Sequence, residues 1–299
     1  MLRRSAIHLA LLLCALFARA PAAADKVELA NGDVLNGEVV EWTVDSVVIE
    51  HPQLGQIRLS LDQLAVDTGT PPSPGLLGTT FLRGWKRNID FGWNGTQGDT
   101  KSRNITAGLN FNYKDEFKRW RLTGRYYYNQ SDDGDNDNNA RVDLRRDWLF
   151  PGHDWFAFAS LRYQFDQFED WRNRTVLSLG PGYNLVHSES HHLDLRLAPT
   201  FTKEYAGLRS TKGEWLVGVD YEWQISERSS LHLSNDFYVE VRPNAGDMRN
   251  LSLAEWSLAI AERPALSLKV GGSNEYDSSP DPGDAPNDLR YYLGVGLDF

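Results

Sequence analysis

Tyr291-Tyr292-Leu293-Gly294-Val295-Gly296-Leu297-Asp298-Phe299 sets a large apolar or aromatic residue at every second position. Tyr291, Leu293, Val295, Leu297 and Phe299 form one series, and Tyr292, Gly294, Gly296 and Asp298 stand between them. A period of two sends alternate side chains to opposite faces of a strand. One face here is apolar along its length and ends in an aromatic; the other suits water. That is the profile of a transmembrane β-strand with lipid outside, a wet lumen inside and an aromatic at the interface. A sheet strand of a soluble protein with one buried face alternates in the same way, so the rest of the chain decides.

The pattern returns many times upstream. Ile105, Ala107, Leu109, Phe111 and Tyr113 alternate with Asn104, Thr106, Gly108, Asn110 and Asn112. Trp215, Val217, Val219, Tyr221 and Trp223 oppose Glu214, Gly218, Asp220 and Glu222. Similar series start at Ile89, Trp120, Val142, Trp155, Leu177, Leu193, Leu231, Ala254 and Leu266. The Ala254 series is the least regular, because Leu251 and Leu253 fall on the opposite face. The total is about twelve strands, an even number, as bacterial barrels require. The expected fold is therefore all-β: a transmembrane antiparallel β-barrel over residues 81–299, preceded by a small β module.

The connections provide an independent test. Outer-membrane barrels have short periplasmic turns and longer outer loops. Alternate connections here are longer and acidic or turn-rich: Gly95 to Asp99, Ser131 to Asn139, Pro243 to Asp247 and Ser278 to Asp288. The others are tight, as at Lys114-Asp115-Glu116, Ser226-Glu227-Arg228 and Glu262-Arg263-Pro264. An even strand count returns both barrel ends to the short-turn side, so the N-terminal module is expected in the periplasm.

Composition bounds the rest. The 299 residues carry a net charge of -10, which argues against nucleic acid, since phosphate recognition wants a basic face. Hydrophobic residues are 41% of the chain, and no apolar run outside the N-terminus approaches the roughly 18 residues of a membrane helix. Residues 1–24 read as a secretory signal peptide: Arg3 and Arg4, then Ile7 to Phe17, then the small residues Ala22-Ala23-Ala24. The single cysteine, Cys14, lies in that segment, and the large Leu13 before it argues against a lipoprotein site. The mature chain is then without thiols, and a disulfide framework is excluded. Residues 25–67 hold short apolar runs separated by Asn31-Gly32-Asp33, Asn36-Gly37 and Leu54-Gly55, which predicts a compact SH3-like β module. Residues 68–80 are a Pro/Gly linker.

The inner faces carry charges of both signs. Arg121, Arg125, Asp143, Arg145, Arg162, Asp166, Asp194, Arg196 and Asp220 are the candidates for lumen-lining groups. They either pair across the interior or line a water path, and the choice depends on strand tilt and shear. In the second case Arg121, Arg125, Arg145 and Arg162 are candidates for an anion-attracting stripe. A soluble sandwich would have to expose this charged face and bury the aromatic one against a second sheet.

Chemistry is sparse. His187, His191 and His192 beside Glu189 have donor types that suit zinc or copper, yet they read better as a solvated turn. Asp132 to Asn138 resembles the start of a calcium loop but lacks its closing glutamate and flanking helices. No catalytic residues, cofactor or metal are expected.

Three groups of residues carry a family resemblance over about Asn88 to Phe299. They are Trp93-Asn94-Gly95, the Trp120 to Tyr128 strand with its acidic Gly/Asn loop, and Tyr163 to Phe168 followed by Gly180-Pro181-Gly182-Tyr183. In these the chain resembles the YdiY-like family of salt-induced outer-membrane proteins, built on a domain of unknown function. Gly98-Asp99 stands where the family usually has a Gly-Asn pair. The resemblance implies a bacterial outer-membrane barrel acting in salt or osmotic adaptation, with no catalytic residues attached. The function expected is thus a non-catalytic barrel, in its sharpest form a narrow ion or small-solute pore. The alternatives are an outer-membrane enzyme on lipid or envelope substrates, with His232 the residue to test, or a surface or periplasmic binding protein. The expected partners are outer-membrane lipid and the barrel-assembly machinery, the latter reached through Tyr291, Leu293, Val295, Leu297 and Phe299. A monomer is expected.

Overall fold

The computed structural model describes residues 25–29, 31, 33–42, 46–60, 63, 81–96, 102–131, 137–206, 211–262, 265–280 and 285–299. The signal segment, the 68–80 linker and most of the calcium-like loop lie outside the described residues. The chain divides into two compact units between Pro72 and Ser73.

In the smaller unit β1 (Asp25–Glu28), β2 (Val34–Trp42), β3 (Ser46–His51) and β4 (Gly55–Ser60) pair antiparallel in chain order. Val27, Val47, Ile49 and Leu59 pack together on one side, with Leu29, Leu35 and Ile57 against them. Among the described residues the sheet is an open four-stranded meander, without the β1–β4 pairing that would close the expected SH3-like barrel.

The larger unit consists of twelve strands. They are β5 (Lys86–Thr96), β6 (Ser102–Lys114), β7 (Lys118–Ser131), β8 (Asp137–Leu149), β9 (Trp155–Asp166) and β10 (Asn173–His187), followed by β11 (His191–Glu204), β12 (Thr211–Ser226), β13 (Ser229–Arg242), β14 (Met248–Glu262), β15 (Ala265–Asp277) and β16 (Asn287–Asp298). Every strand pairs antiparallel with its chain neighbour, and β16 returns to β5, so the sheet is a closed barrel. Closure leaves no free sheet edge along the paired register. The strands run from 11 to 16 residues, enough to cover the roughly 9–11 that cross a hydrocarbon layer.

The period of two becomes an inside and an outside. On β11, residues 194, 196, 198, 200, 202 and 204 are buried, while 195, 197, 199 and 201 are exposed. On β16, Tyr292, Gly294 and Gly296 are buried. Their neighbours Tyr291 and Leu293 are 83% and 62% exposed, and Val295, Leu297 and Phe299 are exposed as well. An exposed apolar belt of this kind, carried by successive strands, marks a surface that meets something other than water.

Aromatic rings collect on the outer face at the end with the shorter connections. Trp155 meets Tyr183 edge-on at 4.9 Å, Phe111 meets Phe299 at 6.4 Å, and His191 stacks on Trp223 at 5.7 Å. The Arg146 guanidinium lies 5.0 Å from the Trp120 ring and 4.8 Å from that of Trp148. At the β6–β7 turn the Asp115 carboxylate accepts the backbone N–H of Phe117 at 2.9 Å and that of Lys118 at 2.8 Å, a side-chain-closed turn.

Candidate functional site

Inward-facing side chains of the twelve strands meet in the lumen, and most of the charged ones meet as opposite pairs. Asp220 on β12 is the centre of the largest group. It accepts Arg121 Nη1 from β7 at 2.9 Å and Arg145 Nη1 from β8 at 2.5 Å. Arg196 Nη2 from β11 stands 3.0 Å from it, and His232 Nε2 from β13 stands at 3.0 Å. Strands β7 and β12 lie on opposite arcs of the ring, so the Arg121–Asp220 bridge crosses the interior. Arg196 reaches on to Asp236 at 2.9 Å, and Arg162 from β9 donates to the same carboxylate at 2.9 Å and to Asp143. Arg119 binds Asp147 at 2.6 Å and Asp194 at 2.5 Å.

A second group forms where the ring closes. Arg125 on β7 donates to Asp90 on β5 at 2.5 Å, to Glu255 on β14 at 2.7 Å and to the Tyr292 hydroxyl on β16 at 3.1 Å. The Tyr292 hydroxyl in turn donates to Glu255. Lys269 on β15 completes the group, 3.2 Å from Asp90 and 3.5 Å from Glu255. Glycine makes room for it: a Cβ on Gly108 would stand 2.4 Å from Arg125 Nη1 and 2.5 Å from both Asp90 oxygens.

Toward the longer connections the bridges continue. Arg174 meets Glu275 across the ring at 3.0 Å and Glu204 at 3.2 Å. Arg290 reaches Asp137 at 2.8 Å and Asp166 at 3.4 Å. A cavity of about 120 Å³ lies here, lined by Tyr127, Arg174, Asp288 and Arg290 among others. A larger one of about 570 Å³ lies toward the shorter connections, lined by polar groups such as Asn112, Gln224, Ser230 and Asp298.

One arc of the inner wall is apolar. Phe156, Phe158, Val176, Ala198, Leu216, Tyr238 and Leu251, contributed by β9 to β14, pack in a single buried cluster. The Phe156 ring fits because residue 182 is glycine; a Cβ there would stand 2.1 Å from the ring. Leu251, out of phase with the lipid-side series, belongs to this cluster.

All nine candidate lumen residues take part in these bridges. One expectation changes: Arg121, Arg125, Arg145 and Arg162 are each held by carboxylates among the described residues, so these four form no stripe of free positive charge. The cause is geometric, since strand tilt brings Asp90, Asp220, Asp236 and Glu255 opposite them. The histidine group is also divided. His192 packs edge-on against His187 at 4.7 Å, whereas its neighbour His191 turns to the other face and bonds the Tyr221 hydroxyl at 2.8 Å. Among the described residues no group of three His, Cys, Asp or Glu is placed to hold a metal ion. Asp90, Asp236 and Lys269 alternate with the apolar series that start at Ile89, Leu231 and Leu266, a signal that could have found them; Glu255 lies in the least regular series, and the apolar arc shows only as the misplaced Leu251 and Leu253.

Comparison with known proteins agrees on the family. The "Uncharacterized protein YdiY" of Escherichia coli (strain K12) is 22% identical over 213 residues, covering 70% of this chain and 81% of that protein. Among solved structures, the NanC porin matches 71% of this chain and 98% of its own, with a TM-score of 0.45 and 8% identity. The KdgM porin matches 72% and 99%, with a TM-score of 0.40 and 9% identity. The family described as "Protein of unknown function, DUF481" matches residues 89–299, and the chain belongs to it.

Proposed function

We propose that this protein is a non-catalytic β-barrel of the bacterial outer membrane whose narrow, bridged lumen passes ions or small solutes. The observation that carries this reading is the division of one closed sheet into an exposed apolar belt and a charged, paired interior. Lipid satisfies the first and cannot satisfy the second; a soluble barrel would need the reverse. The aromatic rings at the short-connection end supply an interfacial girdle. The module of residues 25–67 then stands in the periplasm, on the side where both barrel ends emerge. The barrel works as a monomer and meets the assembly machinery through β16. The resemblance to salt-induced proteins supports a role in salt or osmotic adaptation of the envelope.

The polar cavities give ions a path up to the bridges, and the bridges set its width. Conductance of the purified full-length protein in planar bilayers tests this. Small, discrete steps are expected, and a silent membrane would remove the pore. Membrane placement is tested separately: an outer-membrane fraction with a gel band that moves on heating is expected, and a soluble periplasmic protein would end the whole reading.

A further inference from the structure

Among the described residues, the pairing that closes the ring is the shortest in it. β16 meets β5 over four residue pairs, from Phe91 with Val295 to Asn88 with Asp298. On their other sides, β5 pairs with β6 all the way from Lys86 to Thr96, and β16 pairs with β15 from Asn287 to Asp298. Just above the ladder the backbone of Gly92 lies so near the Leu293 carbonyl that a Cβ would stand 2.3 Å from it. Above that point the edges of β5 and β16 have no ladder partner in the register described.

The lower end is fastened. Arg87 Nε donates to the Phe299 carbonyl at 2.9 Å, the Phe299 N–H donates to the Arg87 carbonyl at 3.1 Å, and Asn88 Nδ2 donates to Asp298 at 2.9 Å. Separation in the outer half therefore does not require loss of closure. In hydrocarbon, unpaired backbone groups must find some partner.

The two sides of this seam differ sharply in chemistry. Outside stand Trp93, Tyr291 and Leu293, all well exposed. Inside, the small outer cavity is lined by Arg125 and Arg290 together with Asp288 and Glu275. Charge of both signs behind an apolar doorway matches an amphiphile with a zwitterionic head.

We propose that the outer half of the β5–β16 seam is a lateral opening from the bilayer into the lumen, and that it admits the head of a zwitterionic phospholipid. Its phosphate meets Arg290, displacing the Asp166 and Asp288 carboxylates that now hold it, and its ammonium meets those released carboxylates. The acyl chains stay outside against Trp93, Tyr291 and Leu293. Head-group oxygens accept hydrogen bonds from N–H groups of the strand edges above the ladder. This rests on the membrane placement proposed above but not on conduction.

Cys14 is the only cysteine, so a Cys14→Ser background accepts paired cysteines cleanly. Phe91→Cys/Val295→Cys sits on the observed register. Gly95→Cys/Tyr291→Cys sits on its continuation. Both variants and the parent, full length, enter vesicles of phosphatidylethanolamine and phosphatidylglycerol containing a phosphatidylethanolamine probe with a diazirine in its acyl chain. The lower pair is expected to oxidise within one chain at least tenfold faster than the upper pair. Photolabelling of the parent is expected to concentrate on Trp93 and on residues 289–293, and to fall at least fivefold once the upper pair is oxidised. Equal oxidation rates, or labelling spread evenly round the belt in the parent, would overturn the opening. A disulfide between two chains at the upper pair would overturn it too, by making the seam an edge for a second copy. A chain that fails to enter vesicles takes down the membrane placement and the opening together, whereas insertion with even labelling takes down the opening alone.

Discussion

Asp220→Asn is the sharpest test of whether the lumen is bridged. The carboxylate side chain is 6% exposed and holds Arg121, Arg145 and Arg196 within 3.0 Å. Removing one partner of a buried pair costs about 3–5 kcal/mol, because the other charge is left behind in a poor solvent for it. Each of the three arginines keeps a second carboxylate: Glu222, Asp147 and Asp236. The lower end, about 3 kcal/mol, is therefore expected. Glu222→Gln is the matched control on the same arginine. Its side chain is 51% exposed, so its pair contributes below about 1 kcal/mol. With a urea dependence of about 3 kcal/mol per molar, Asp220→Asn should lower the unfolding midpoint by about 1 M and Glu222→Gln by a third of that or less. The assay is urea titration in micelles, followed by tryptophan fluorescence and by the heat-dependent gel shift. Equal midpoints for the two variants would refute the reasoning, since they would mean that water, not Arg121, Arg145 and Arg196, solvates Asp220. The same variant bears on the pore: loosening three arginines should raise the conductance step.

Three further outcomes are expected. The Asp115 carboxyl is pushed up by partial burial, but hydrogen bonds from Phe117, Lys118 and Tyr113 outweigh this and hold it below its ordinary value; the turn's contribution is therefore complete above the unfolded value and lost as pH falls below about 4, so Asp115→Asn should flatten the acid limb of a stability-versus-pH curve. Gly182→Ala puts a Cβ 2.1 Å from the Phe156 ring and should cost about 1–3 kcal/mol in the urea titration, with part of the loss recovered when Phe156→Leu is added. Phe299→Ala removes a ring that lies 5.0 Å from the Arg87 guanidinium and edge-on to Phe111, and should slow folding into vesicles and destabilise the barrel by about 1–2 kcal/mol, read from the fraction of heat-shifted band.

What could be read from the sequence was the outside of the barrel. Residues such as Tyr291, Leu293 and Val295 need only a period of two and a sheet, so local order suffices. The inside was legible as composition and not as contacts. Arg121 and Asp220 are 99 residues apart, and only the tilt and shear of the closed ring decide that they meet. The apolar arc left one visible trace, the phase error at Leu251 and Leu253. Phe156 and Phe158 left none, because the series that starts at Trp155 fixes which residues face outward and says nothing of what the apolar residues between them pack against. The histidine turn shows the opposite limit: His191 and His192 are adjacent in sequence, and for that reason a strand sends them to different faces.

An interior built from ion pairs is not the most stable choice available, since buried pairs are often matched or exceeded by apolar groups of the same size. Its advantage lies in register. β11 carries Asp194 and Arg196 inward and Leu195 and Leu197 outward. A slip of one residue would turn Arg196 to lipid, at about 2–4 kcal/mol for an arginine near the midplane, and would leave Asp220 and Asp236 each short of one cation. Had residues 194 and 196 been leucine, that half of the strand would be apolar on both faces, and only Thr200, Thr202 and Glu204 would oppose the slip. The apolar arc avoids that ambiguity because its strands interleave charge with it: Phe158 with Arg162 on β9, Ala198 with Arg196 on β11, Tyr238 with Asp236 on β13. The bridges that narrow the lumen are thus the same groups that fix which face of each strand meets lipid. A variant that widens the lumen by deleting them should also fold with less certain register, so conductance and folding yield are expected to change together and in opposite directions.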